Sequence, residues 1–169
     1  MDSEKIFKLT PSGIDYALKC RRCLWLSYKG IKLDAFFPPI FNAFDLIQKK
    51  FLLTKSVKLI SKTLPDGRIM TEHAGFIGSS ILKDNKGRLF VISGKTDVIV
   101  EFNTKPKKYG IIDLKTTNIN PSKIENYKFQ LESYATIFEN PNSKTPKFSN
   151  VEEIGLYLFE PKEITNISN

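Results

Sequence analysis

The sequence predicts an α/β sandwich in which helices flank one mixed β-sheet. Apolar residues recur at helical spacing in the first third of the chain, and β-branched residues are concentrated in the middle. The resulting order is helix, helix, three antiparallel strands, helix and strand. The chain has 169 residues, of which 41% are hydrophobic, and is therefore long enough for one domain with its own core.

Start and stop signals mark the two N-terminal helices. Thr10 and Pro11 supply a capping hydroxyl and a proline of the first turn, and Gly30 is expected to end this first helix. The second helix should begin near Pro39, where apolar residues follow at three- and four-residue steps as far as Leu52. The second helix is predicted to be a core helix.

The middle of the chain is predicted to form a meander of strands at 76–82, 89–102 and 110–117. A turn at 84–87 and a loop at 103–109 connect these strands. The remaining predicted elements are a helix from Pro121 to about Glu139, a polar loop at 141–149 and a strand at 154–159.

The net charge of +8 favours polyanionic partners, and nucleic acid ahead of acidic membranes or acidic proteins. Residues 46–62 contain five lysines and no acid, a run that is more often a solvated surface than a binding site. These are Lys49, Lys50, Lys55, Lys58 and Lys62. Three further lysines lie in the loop between the second and third strands, where a solvated loop is the default interpretation: Lys105, Lys107 and Lys108.

No apolar run has the length of a signal-peptide core or a membrane span. We therefore expect a cytoplasmic protein without a membrane partner. Cys20 and Cys23 lie too close in sequence to staple a fold of this size, which argues against a secreted disulfide scaffold and fits a reducing cytoplasm better. Zinc needs more ligands, and a thioredoxin-type pair begins a helix rather than lying within one. The two residues are therefore interpreted as helix cysteines, packed or half exposed.

The third predicted strand carries two charged residues among apolar ones. Alternation places Asp113 and Lys115 on one face, whereas Ile112 and Leu114 point to the other. Charged groups in a central strand are costly unless they are paired. Either the pair serves a site or the edge of the strand is solvated.

Asp97 lies in a β-branched run sixteen residues before Asp113, and a hairpin can bring the two acids side by side. Converging carboxylates repel each other unless a cation lies between them, and hard oxygen ligands favour Mg²⁺ or Mn²⁺. With Lys115 at the rim, such a site could activate water and orient it in line with a phosphodiester.

Three motifs occur in order: Gly94-Lys95-Thr96-Asp97, then Ile112-Asp113-Leu114-Lys115-Thr116-Thr117, then Gln130-x-x-x-Tyr134. Together they resemble the PD-(D/E)XK nucleases, specifically the RecB-type branch that includes the CRISPR-adaptation exonucleases. The resemblance covers about residues 70–160. It implies a single nuclease domain over 1–169, with an N-terminal helical part at 1–70 and a restriction-endonuclease-like catalytic core (αβββαβ) at 71–160.

The resemblance also implies roles for individual residues. Asp97 and Asp113 would ligate Mg²⁺ or Mn²⁺, with the backbone carbonyl of Leu114 as a further ligand. Lys115 would position or activate the attacking water. His73 resembles the upstream histidine that often completes the metal shell, although a lone histidine near a strand start is more often a surface or hydrogen-bonded residue.

Two interpretations of Gln130 and Tyr134 remain open. In the family both border the active site and touch DNA, whereas the alternative is that Gln130 bonds strand ends and Tyr134 belongs to the core. The helix is expected to pack on the sheet through an apolar stripe that consists of Ile124, Tyr127, Leu131, Tyr134 and Phe138.

The predicted activity is metal-dependent hydrolysis of single- or double-stranded DNA, with an exonuclease favoured. Partner proteins would belong to a DNA repair, recombination or defence system. Some relatives bind an iron–sulfur cluster through one N-terminal and three C-terminal cysteines. No cluster is expected here, because this sequence contains none of the three C-terminal cysteines. The alternatives are a non-catalytic nucleic-acid-binding module on the same fold, and an interaction domain in which Asp97 and Asp113 diverge.

Overall fold

A computed structural model describes residues 5–31, 38–53, 55–70, 75–120, 124–148 and 150–162. The fold belongs to the α/β class, as predicted, with helices that flank mixed sheets. The helices are α1 (Pro11–Lys19), α2 (Arg21–Tyr28), α3 (Pro39–Leu53), α4 (Val57–Ile60) and α5 (Lys128–Glu139). The strands are β1 (Phe7–Leu9), β2 (Gly67–Ile69), β3 (Phe76–Gly78), β4 (Leu82–Lys83), β5 (Leu89–Lys95), β6 (Val98–Phe102), β7 (Lys108–Thr116) and β8 (Val151–Phe159).

The strands form two four-stranded sheets rather than the single sheet that was predicted. In the first sheet β5 is parallel to β1 and antiparallel to β3 and β4. The second sheet has the order β2-β6-β7-β8, in which β7 is antiparallel to β6 and parallel to β8. Both sheets are therefore mixed.

The predicted strand 89–102 is interrupted, and this interruption creates the second sheet. The Lys95 carbonyl accepts a hydrogen bond from the Tyr134 hydroxyl at 2.8 Å. The next amide, of Thr96, donates to the carbonyl of Gly75 at 3.3 Å, and the Thr96 side chain is buried. The main chain therefore leaves the first sheet after Lys95 and enters the second at Val98.

The N-terminal helices follow the predicted signals except at one point. The Thr10 hydroxyl accepts a hydrogen bond from the amide of Gly13 at 2.9 Å, as expected for a helix cap. Gly30 has a φ of 79° and follows the end of α2, again as predicted. The prediction of one helix from Thr10 to Gly30 is wrong, because the chain breaks at Cys20. Helix α3 begins at Pro39, as predicted.

A buried core covers each face of the second sheet. Val98 and Ile112 face a cluster that includes Leu52 of α3 and Val57 at the start of α4. Ile99 and Ile111 face the opposite cluster, to which α5 contributes. The buried apolar residues of α5 are Leu131, Tyr134, Ile137 and Phe138. The buried stripe therefore retains Leu131, Tyr134 and Phe138 of the predicted one and adds Ile137.

Ile124 precedes α5 and is 48% exposed, so its place in that stripe was wrong. A 3-10 turn, Glu125–Tyr127, leads into the helix instead of a continuous helix from Pro121, which lies outside the described residues. Ile137 of α5, which the predicted stripe did not include, is fully buried.

Gly94, the first residue of the first motif, is predicted to resist enlargement. A Cβ atom at this position would lie 2.8 Å from Cδ of Pro11 and 3.3 Å from the ring of Tyr134. We expect Gly94→Ala to lower the free energy of unfolding by about 1–3 kcal/mol in urea denaturation. Gly155→Ala is the matched control, because no atom lies within 4 Å of its Cβ position. Equal stability of the two variants would contradict this packing argument.

Candidate functional site

The two predicted acids lie side by side where β6 begins. Val98 pairs with Ile112 in the antiparallel β6–β7 ladder, so the preceding residue, Asp97, lies beside Asp113. Oδ2 of Asp97 accepts a hydrogen bond from the Leu114 amide at 3.0 Å. The interaction-domain alternative required the acids to diverge, and it is therefore not supported.

Asp113 is the most deeply buried charged group of this site, with 2% of its surface exposed. The pKa of Asp113 is raised to about 6, mainly by burial; Lys115 acts to lower it, and the charge of Asp97 contributes to the rise. Oδ1 of Asp113 accepts a hydrogen bond from the Gln130 amide at 3.1 Å. Its other oxygen, Oδ2, is buried and faces the ammonium of Lys115.

Lys115 lies on the same face of β7 as Asp113, as the alternation predicted. Its ammonium forms an ion pair with Asp113 and lies 5.2 Å from the centre of the Tyr127 ring. Ile112 and Leu114 are buried in the core on the other face. Residues 112–115 therefore alternate between the core and the site.

Helix α5 contacts Asp113 and the segment that precedes Asp97. The Gln130 amide donates to Asp113 and also, at 3.3 Å, to the hydroxyl of Tyr134. Tyr134 in turn donates to Lys95, two residues before Asp97. Tyr134 is 5% exposed, and burial raises its pKa to about 12. Tyr134 thus belongs to the core and also borders the site, whereas Gln130 bonds an acid rather than a strand end.

Two residues of α3 complete the site, and the sequence analysis missed their role. The Lys49 ammonium lies 2.8 Å from Oδ1 of Asp97 and 2.8 Å from Oδ2 of Asp45. Burial lowers the pKa of Lys49, but its hydrogen bonds to Asp45 and Asp97 outweigh this effect and raise it. The interpretation of Lys49 as part of a solvated surface was therefore wrong.

Asp45 and Lys49 are separated by four residues, a spacing that allows an ion pair on one helix face. That spacing was a usable signal for the pair, but it did not show that the face turns towards Asp97. Helix α3 is attached here by the buried side chain of Gln48, whose amide donates to the Thr116 hydroxyl at 2.7 Å.

A cavity of about 570 Å³ opens beside these groups. Its charged lining consists of three lysines and two aspartates: Lys49, Lys95, Lys115, Asp45 and Asp97. Amines beside carboxylates allow a cation and an anionic ligand to be held at adjacent positions. The cavity therefore has the charges that a phosphate-bearing ligand with a divalent cation needs.

The residues present fit a hard cation with few protein ligands. Asp97 and Asp113 are adjacent, and the charge of Asp97 makes ionisation of Asp113 more costly, which a cation between them would relieve. The carbonyl of Leu114 remains a predicted further ligand. His73 lies outside the described residues. Within the described part of the chain, no three His, Cys, Asp or Glu side chains are grouped to hold a metal ion.

Cys20 and Cys23 are joined by a disulfide bond, a pairing that their interpretation as packed or half-exposed helix cysteines did not include. Their Cα atoms lie 5.2 Å apart, within the range that a disulfide spans. Cys20 caps α2, and its sulfur accepts a hydrogen bond from the amide of Cys23 at 3.1 Å. The pair therefore lies at a helix start, contrary to the argument from sequence.

The lysine-rich loop between β6 and β7 lies away from the acids. The loop connects Phe102 to Lys108, and these two residues pair at the opposite end of the ladder from Val98 and Ile112. Lys107 forms an ion pair with Glu101 at 3.1 Å, and Lys108 one with Glu152 at 2.8 Å. This loop is not part of the cavity described above.

Comparisons of the chain with protein-family models, with curated proteins and with solved structures find no match. Among the helices that the structure describes, none combines the length and apolar content required to cross a bilayer.

The raised pKa of Asp113 predicts a pH-dependent stability. Between about pH 4 and about pH 6 the folded protein retains a proton on Asp113 that the unfolded chain has released. The free energy of unfolding therefore falls as pH rises through this window. We expect Asp113→Asn to gain roughly 1–2 kcal/mol relative to the wild type between about pH 4.5 and about pH 7.5.

Urea denaturation of the metal-free protein at the two pH values measures this gain. Asp66→Asn is the control, because Asp66 has a 76% exposed side chain. If both variants change equally with pH, burial of Asp113 does not control the effect.

Proposed function

We propose that this protein is a metal-dependent DNA nuclease of the PD-(D/E)XK type, which hydrolyses phosphodiester bonds. The observation that carries the proposal is the cluster of Asp97, just before β6, with Asp113 and Lys115 of the neighbouring strand β7. In this proposal the two acids hold Mg²⁺ or Mn²⁺, and Lys115 positions the attacking water. The restriction-endonuclease-like assignment of the core is part of the proposal.

The groups around the acids support catalysis because they fix the carboxylates before substrate arrives. The Leu114 amide holds one oxygen of Asp97, and the Gln130 amide holds one oxygen of Asp113. A bound divalent cation would lower the pKa of a water molecule and offset charge on the phosphate. Lys115 adds a positive charge next to Asp113, where it can stabilise a developing negative charge.

A nucleic-acid substrate is supported by charge. The chain carries a net charge of +8, and three lysines line the cavity beside Asp97. Contacts between lysines and phosphates release counterions and provide affinity independent of sequence. DNA is preferred to RNA only through the family resemblance, so both substrates belong in the assay.

The second candidate function is a non-catalytic nucleic-acid-binding module. One observation favours it: both carboxylates already have an ammonium partner, Asp97 in Lys49 and Asp113 in Lys115. Such pairs can stabilise a fold without any metal. DNA binding that persists in chelator, without cleavage in Mg²⁺ or Mn²⁺, would favour this module.

The proposal predicts cleavage that depends on a divalent metal and on three side chains. Labelled linear and circular DNA, and RNA of the same sequence, are incubated with Mg²⁺, Mn²⁺ or chelator. We expect Asp97→Ala, Asp113→Ala and Lys115→Ala each to reduce the cleavage rate at least about 100-fold. Cleavage of linear but not circular DNA would indicate an exonuclease.

Two variants outside the site control for the change of charge. Asp66→Asn and Lys86→Met alter exposed residues that do not line the cavity, and should retain activity. Circular dichroism and cooperative urea unfolding verify that each site variant is folded. Wild-type activity in a folded Lys115 variant would refute the role assigned to that lysine.

A further inference from the structure

The ammonium of Lys49 lies between two carboxylates, one of which is a proposed metal ligand. It is 2.8 Å from Asp45 and 2.8 Å from Asp97. The Lys49 side chain is 22% exposed, so water screens these contacts only in part. A divalent cation that binds at Asp97 must therefore compete with the Lys49 ammonium.

Both oxygens of Asp97 are engaged in the metal-free structure. Oδ2 accepts from the Leu114 amide, and Oδ1 contacts Lys49. A divalent cation that approaches Oδ1 would meet the ammonium within a few ångströms, where like charges repel strongly. Such a cation can bind Asp97 through this oxygen only when Lys49 moves away.

The local structure allows the tip of Lys49 to move while its backbone stays in place. Helix α3 is held by the Gln48–Thr116 hydrogen bond and by Leu52, which is fully buried. The side chain of Lys49 lines the open cavity. After release from Asp97, its ammonium can keep its contact with Asp45, four residues earlier on the same helix.

We propose that Lys49 is a built-in competitor of the divalent cation at Asp97. It neutralises Asp97 in the metal-free protein and gives this carboxylate up when the metal binds, so it sets the metal concentration that the site requires. This inference rests on the proposed function, because it assumes that Asp97 binds a metal. Lys49 acts on the metal through Asp97, so it is a positioning residue rather than a catalytic one.

Isothermal titration of the full chain with Mn²⁺, without nucleic acid, tests the inference. Lys49→Met should bind Mn²⁺ about five- to tenfold more tightly than the wild type, because the competing charge is gone. Lys49→Arg keeps the charge and should restore an affinity within about twofold of the wild type. Lys50→Met removes the same charge from an exposed neighbour and should also stay within about twofold.

The outcomes separate this inference from the proposed function. Unchanged or weaker Mn²⁺ binding in Lys49→Met overturns the inference, even when Asp97→Asn abolishes binding and so supports the metal site. If no variant shows saturable Mn²⁺ binding, both proposals are overturned. Should Lys49→Met fail to fold, the same comparison with Lys49→Gln applies, because Gln removes the charge but keeps a hydrogen-bond donor.

Discussion

The hydrogen bond from the Tyr134 hydroxyl to the Lys95 carbonyl fixes the point at which the chain changes sheets. Because that carbonyl bonds a side chain, the first sheet ends there. Asp97 lies in the short connection that leads into β6. The same tyrosine accepts a hydrogen bond from Gln130, which holds Asp113. One helix therefore contacts both Asp113 and the carbonyl of Lys95, two residues before Asp97.

The charges of the site offset one another, which explains how two acids can lie together in a partly buried place. Asp113 pairs with Lys115 from its own strand, and Asp97 pairs with Lys49 from α3. An unpaired carboxylate here would lose its hydration without compensation. The ammonium groups reduce that cost. Lys115 comes from the same strand as Asp113, whereas the tertiary structure brings Lys49 to Asp97 from a helix distant in sequence.

The parts of the site that depend on local rules were predictable from the sequence. Alternation placed Asp113 and Lys115 on one face of β7, and the hairpin placed Asp97 beside them, because strand period and pairing involve nearby residues. The break after Lys95 was not predictable, since it depends on Tyr134, 39 residues later. Lys49 was missed for the same reason: its four-residue spacing from Asp45 is local, but its contact with Asp97 is tertiary.

The alternation along β7 has a consequence for how this segment can vary. Ile112 and Leu114 belong to a buried cluster, whereas Asp113 and Lys115 lie on the other face, where Lys115 lines the cavity. Packing and chemistry are thus assigned to interleaved positions of four consecutive residues, 112–115. An apolar exchange at one set alters how firmly the strand is held, and a polar exchange at the other alters what it can bind, so the two properties are separable within a single strand.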